Sequence, residues 1–236
     1  WCRFVRQHPE GNFFQTPQFY RYIAKLPGFQ PVVIAALAEK GSIQGILVGM
    51  IQSEKGFLKS KLSSRLIVRG GPLTILSNPD ITEQLLDLLI EKYGRRCIYF
   101  EFRNLHPLHD RKDYFLKNRF IFNEYLDVII DTEKFRQSVQ KLSSGKKRKI
   151  KKSLENKATI IESATIEQVK KFYAILKDLY KRKVKKPLPD WVFFEEFFKH
   201  PELGRYFLIE YSGEIVGGIM CPIYDNKIIY EWYIAG

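Results

Sequence analysis

The chain has 236 residues, 45% of them apolar and 14% aromatic, enough to bury a sizeable core over one or two domains and to exclude disorder over most of its length. Its three cysteines are scattered and none has metal-ligand spacing with another, which excludes a disulfide framework and makes a reduced, cytoplasmic setting the expectation. No apolar run approaches the roughly 20 residues a bilayer-spanning helix needs. The net charge of +13 is concentrated: residues 141–186 hold 16 Lys plus Arg against 4 acidic residues, a net +12. A field of that density attracts polyanions, namely phosphorylated substrates, nucleic acid or an anionic membrane face. A solvated helical face is the competing reading.

In chain order, Thr16 followed by Pro17 predicts a helix start, and Phe19, Tyr22, Ile23 and Leu26 fall at helical spacing before Pro27-Gly28 stops the run. Residues 31–37 and 43–52 read as a hairpin around the polar turn 39–42. A strand over 65–69 runs into Gly70-Gly71-Pro72. Asp80 or Thr82 caps a helix through Tyr93, with Leu85, Leu86, Leu89 and Ile90 as its inward stripe. Then follow a strand over 97–102, a short helix over 110–117 and a strand over 125–130.

The second part opens with helical residues 133–142 and a basic helix from about Lys146 to Asn156. A short strand over 158–162 comes next. Thr165 with Gln168 makes a capping box for a long helix to about Lys183, whose inward side is Val169, Phe172, Tyr173, Leu176 and Leu179. Pro187 and Pro189 end it, and Asp190 caps an aromatic helix over 191–198 that reads as core. Residues 206–211, 214–222 and 227–234 are three antiparallel strands with turns at Ser212-Gly213 and Asp225-Asn226.

The halves share a grammar of helix, strand, turn and strand. Gly41 and Gly45 match Gly213 and Gly217 under one fixed offset. This points to an α/β chain carrying a duplicated unit, with domains over 1–131 and 132–236. The second copy reads as incomplete at the C-terminus, since its last strand would leave an edge open to solvent.

Three local motifs carry a family resemblance. Phe14-Gln15-Thr16-Pro17-Gln18-Phe19 resembles the "FQTPEF/W" entry of the Fem family of peptidoglycan-bridge aminoacyltransferases. Arg69-Gly70-Gly71-Pro72 is similar to its "RGP" turn, with one glycine more. The basic run from Ser144 to Ser153, followed by Ala158-Thr159-Ile160, resembles its "R-N-I-R-K-A … G-V-x-V" helix and strand. The resemblance implies tandem GNAT-like (acyl-CoA N-acyltransferase-like) domains with mixed, mostly antiparallel sheets. It also implies an enzyme that forms an amide, taking an aminoacyl group from aminoacyl-tRNA and adding it to a phosphate-bearing cell-wall precursor or related amine. The alternatives are a CoA-dependent N-acyltransferase on a lipid or sugar amine, and a non-catalytic anion- or RNA-binding protein of the same fold.

The candidate binding residues follow from charge and backbone freedom. Arg148 and Lys152 lie one helical turn apart and can clamp a pyrophosphate or an RNA backbone. Lys149 stands beside them, and the backbone N–H groups of Lys146 and Lys147 are expected to add to the site at the helix start. Arg69 can grip a phosphate where Gly70 and Gly71 allow close backbone approach; a tight turn with an exposed arginine is the alternative. Tyr180, in the run Tyr180-Lys181-Arg182-Lys183, either lines the same cleft or belongs to a helix end favoured by its dipole. His106, His109 and Asp110 read as surface groups, and Glu101 and Glu231 as general bases that nothing singles out. The sequence singles out no catalytic residue, and no metal set or organic cofactor is expected. The GNAT cofactor loop, Arg/Gln-x-x-Gly-x-Gly/Ala, does not occur in the sequence, which argues against acetyl-CoA as donor. A transient contact with an anionic membrane is compatible with the basic segment.

Overall fold

The structure, a computed structural model, describes residues 1–53, 63–75, 80–108, 111–162 and 164–236. It is a mixed α/β fold and divides into two compact units. One is Trp1–Asn123 with Tyr224–Ile228, the other Glu124–Ile223 with Ile229–Gly236.

The first unit begins with helix α1 (Cys2–Gln7), a 3-10 turn (Phe13–Gln15) and α2 (Pro17–Ala24). Thr16 caps α2 as its sequence predicts: Phe19 N donates to its hydroxyl at 3.1 Å, and Pro17 occupies the first turn, where no N–H is needed. Strands β1 (Phe29–Leu37) and β2 (Ile43–Gln52) form the expected hairpin, and β3 (Arg65–Arg69) pairs antiparallel with β2. A two-residue strand β4 (Leu73–Thr74) rejoins β2 lower down. Helix α3 (Asp80–Tyr93) then crosses over to β5 (Tyr99–Arg103), which lies parallel to β3. The hydroxyl of Thr82 sits 3.3 Å from that of Thr74 inside the unit, so it does not cap α3.

Alternation decides which face is core. Val32, Ile34, Leu47, Ile51, Leu66 and Val68 turn to one side of the sheet, where Ile81, Leu85 and Leu89 of α3 cover them. On the other side, Val48 and Met50 are buried, and the 3-10 turn packs on β2. β5 starts two residues later than its apolar run suggests. Arg96 and Cys97 still donate to Tyr93 O, closing α3, and pairing begins with Ile98 N on Ser64 O. A short helix α4 (Lys112–Lys117) follows.

The 125–130 segment is not a strand. It has no regular structure, and Tyr125, Leu126, Val128, Ile129 and Ile130 are all exposed. A β-rich sequence becomes a strand only when a neighbour supplies a ladder, and no strand among the described residues pairs with this one.

The second unit contains α5 (Phe135–Gln140), α6 (Ser144–Glu155), β6 (Thr159–Ile161), α7 (Ile166–Leu179) and a π-helical turn (Tyr180–Val184). α8 (Trp191–Phe198), β7 (Gly204–Tyr211), β8 (Glu214–Tyr224) and the short strands β9 (Ile228–Ile229) and β10 (Tyr233–Ala235) complete it, apart from Tyr224 and Ile228, which fall with the first unit. The capping box is present in full: Thr165 N donates to the Gln168 side chain at 2.8 Å, and Gln168 N to the Thr165 hydroxyl at 3.3 Å. Val169, Phe172 and Leu176 of α7 and Phe193, Phe194 and Phe197 of α8 are buried with Tyr206 and Leu208 of β7. The Tyr206 hydroxyl satisfies its hydrogen-bonding need by donating to Phe194 O at 2.8 Å. The sheet runs β10-β8-β7-β6, all antiparallel, with β9 also on β8; the third strand expected over 227–234 is thus split in two.

The hairpins of the two units share a defect. β1–β2 loses register between Ala36 and Leu37, leaving Gln44 as the extra residue before Gly45. β7–β8 loses register between Ile209 and Glu210, leaving Val216 as the extra residue before Gly217. These β-bulges stand at the same offset as the matched glycines.

Candidate binding sites

The bend at Arg69-Gly70-Gly71-Pro72 is a gap in a ladder. Gly49 of β2 pairs with Val68 and Ile46 with Leu73, so two residues of β2 face four of the other chain segment. On its β3 side the backbone of Val48 therefore has no strand opposite it. Gln15 fills the place. Its amide donates to Val48 O at 2.9 Å and to Arg69 O at 2.8 Å, and accepts from Val48 N at 2.8 Å. Asn12, as fully buried as Gln15, donates to Gly70 O at 2.6 Å and accepts from Phe14 N at 3.1 Å. Arg111 adds a third tie, joining the Glu10 carboxylate at 2.5 Å and Pro72 O at 3.4 Å.

This packing explains the glycines. Gly70 has a φ of +57°, and a Cβ there would lie 2.5 Å from the Asn12 amide nitrogen. A Cβ on Gly71 would lie 2.7 Å from the Gln15 amide. The close approach expected of a ligand at these two positions is made by the chain's own amides. Arg69 is only partly exposed, with its guanidinium 5.4 Å from the centre of the Phe14 ring.

Sequence reasoning quoted Gln15 inside a motif but gave neither it nor Asn12 a role. A gap of this kind has no local signature, because it exists only once β2 and β3 are paired. Arg65 and Arg103 also went unremarked, although period-2 spacing along β3 and β5 places them on the same face as Arg69 and Glu101. Arg103 bonds Glu101 at 2.6 Å, while Arg65 reaches Gln52 at 3.1 Å and the Tyr99 hydroxyl at 3.2 Å. Burial pushes the Glu101 carboxyl up, but the hydrogen bond and charge of Arg103, with the charges of Arg65 and Arg69, outweigh it and hold the group below its ordinary value. A carboxylate so held is a poor proton acceptor at neutral pH.

In the second unit the basic residues stand together on α6. Ser143 accepts from Lys146 N at 3.3 Å through its hydroxyl and from Lys147 N at 3.0 Å through its carbonyl. The helix starts at Ser144, earlier than its lysines suggest, so these two N–H groups belong to the cap and are not the anion-facing donors expected of them. That leaves the side chains of α6 as the candidate groups. No residue of α6 is buried, and Arg148 and Lys152 remain one turn apart and exposed, with Lys149 beside them.

Tyr180 opens the π-helical turn that extends α7, with its ring 6.3 Å from that of Tyr233 on β10. Lys185, in the left-handed conformation, closes the turn by donating to Tyr180 O at 2.8 Å. Burial pushes the Cys221 thiol up to about 12, the charge of Glu231 adding to the effect, so this sulfur stays protonated. His106 is exposed, and His109 and Asp110 lie outside the described residues. No group of His, Cys, Asp and Glu among the described residues could hold a metal ion, and no described helix is long and apolar enough to cross a membrane.

No family model and no curated protein matches the chain. Solved structures similar in part include an aminoglycoside acetyltransferase from an uncultured soil metagenomic sample, 18% identical, spanning 49% of this chain and 74% of that one with a TM-score of 0.34. A ribosomal-protein-alanine N-acetyltransferase from Brucella melitensis biovar Abortus is 12% identical over 43% of this chain and 69% of that one, with a TM-score of 0.31. L-PGS from Bacillus licheniformis is 16% identical over 99% of this chain and 64% of that one, with a TM-score of 0.49.

Proposed function

We propose that the protein is an N-acyltransferase of the Fem type, which moves an aminoacyl group from aminoacyl-tRNA to the amine of a phosphate-bearing cell-wall precursor or a related amine. In that reaction the amine nitrogen attacks the ester carbonyl, the C–N bond forms, the C–O bond to the tRNA ribose breaks, and the proton lost by the amine is balanced by one gained at the ribose oxygen, which leaves as a hydroxyl. The observation that carries the reading is the tie between Gln15 and Arg69. Two of the three segments that bear the family resemblance, 14–19 and 69–72, are hydrogen-bonded parts of one local structure, which chance matches have no reason to be. The matched bulges at Gln44 and Val216 support a duplicated unit in the same way.

In this reading both substrates are polyanions. Arg148 and Lys152 grip phosphate from one face of α6, with Lys149 beside them adding charge. Arg69 offers a guanidinium in the first unit, and Gly70 and Gly71 act by shaping the bend that presents it. Tyr180 contributes an aromatic edge in the second unit.

The test incubates the full chain with charged tRNA and phosphate-bearing precursors, and in parallel with acyl-CoA and simple amines. Mass spectrometry is expected to find an amide product that requires charged tRNA. Arg148→Ala with Lys152→Ala is expected to raise KM more than it lowers kcat, because the pair binds phosphate away from the reacting atoms. Absence of amide product with both donor classes overturns the enzyme reading, and product only with acyl-CoA overturns the donor.

A further inference from the structure

Helix α6 has a second face that phosphate binding does not use. At about 100° per residue, Arg148, Lys149 and Lys152 share one side of the helix, and Ile150 and Leu154 lie one turn apart on the other. Ile150 is 50% exposed and Leu154 64% exposed. Lys146, Lys147 and Lys151 flank this apolar edge. The Lys147 ammonium also donates to Gln140 O at the end of α5, and Lys151 pairs with Glu155 at 3.8 Å with both side chains largely exposed. Over Ser144–Glu155 there are six basic residues and one acidic one.

The combination narrows the partner. A nucleic-acid backbone would take up the lysines and leave Ile150 and Leu154 in water. A protein groove would cover the two apolar side chains, but it would need an acidic rim on every side. An anionic lipid surface meets both demands at once, because apolar side chains enter the boundary between headgroups and acyl chains while lysines spread over the lipid phosphates.

We propose that α6 lies on an anionic membrane surface, with Ile150 and Leu154 inserted at the headgroup level and Lys146, Lys147 and Lys151 on the lipid phosphates. Arg148 and Lys152 then point away from the lipid. The proposal is independent of the reaction proposed above, since it concerns binding of the whole chain to lipid with no substrate present.

Co-sedimentation of the full chain with phosphatidylcholine vesicles, with or without phosphatidylglycerol, tests it. Binding is expected only with phosphatidylglycerol and is expected to fall as salt rises. Replacing Ile150 and Leu154 together by Ala keeps helix propensity and should lower partitioning about tenfold, as loss of two partly buried side chains implies. The ellipticity of the protein and its affinity for an RNA homopolymer should not change. Equal binding to neutral vesicles, no effect of the double substitution, or an equal loss of RNA binding would each overturn the proposal, the last by giving the apolar pair to nucleic acid.

Discussion

Gln15 does for Val48 what a facing strand would do: one planar amide supplies both an acceptor and a donor at the spacing of a peptide group. Gln15→Ala removes all three of its bonds and leaves Val48 N–H, Val48 C=O and Arg69 C=O facing each other in a buried gap. At about 1–3 kcal/mol for each stranded group, partly relieved by water entering the gap, a loss of about 3 kcal/mol is expected. Urea unfolding should show it as a lower midpoint at an unchanged slope. Gly71→Ala should destabilise the chain through the same amide, so the glycine substitution should cost less in the Gln15→Ala background than in the wild type. The coupling expected for groups in direct contact is about 1 kcal/mol or more, and strictly additive losses would refute the link. Glu101 makes a separate demand on pH. Because its folded-state pKa is depressed below the ordinary 4.5, its contribution to stability is present above that value and lost as pH falls through the lower, folded-state one. Glu101→Gln should therefore be less stable than wild type at neutral pH, with the gap closing in acid. A gap that does not change with pH in the same urea series would show that the arginines do not act through this charge.

At the scale of the element, what was legible in the sequence was local. Thr16-Pro17, the Thr165–Gln168 box and the Ser212-Gly213 and Asp225-Asn226 turns each write their geometry into two to four neighbouring residues. The density of charge on α6 was readable for the same reason. Elements defined by distant partners were not. The 125–130 segment has the composition of a strand and no strand partner among the described residues, while the bend at Gly70 and Gly71 reads as a ligand loop until Asn12 and Gln15 are seen inside it. The error at the start of α6 has a similar origin. Periodicity shows where a helix has side chains to place, whereas its first turn is set by the cap, here Ser143, just upstream of the lysines. The candidate site on α6 thus keeps its exposed side chains and loses the two backbone N–H groups assigned to it, which Ser143 takes up.

For the whole molecule, each unit has its own buried apolar residues, and the second opens with exposed chain. Chymotrypsin needs an aromatic or leucine side chain on backbone that can leave its surroundings. Phe13, Phe14, Phe193, Phe194 and Phe197 are each at most 3% exposed and are cut only from an unfolded unit. Tyr125 is 87% exposed and Leu126 fully so, on backbone held in no helix or strand. Tyr99 and Tyr211 are partly exposed as well, but each lies in a strand whose ladder must open before a protease can bind it. Brief digestion at low enzyme is therefore expected to give a first cut after Tyr125 or Leu126, read by intact-mass spectrometry as two fragments that divide the chain there. The same experiment tests the composition of the segment against its structure. A segment that becomes a strand by pairing in solution would hide both residues, and first cuts in β5 or β7 instead would restore the strand that the sequence alone leads one to expect.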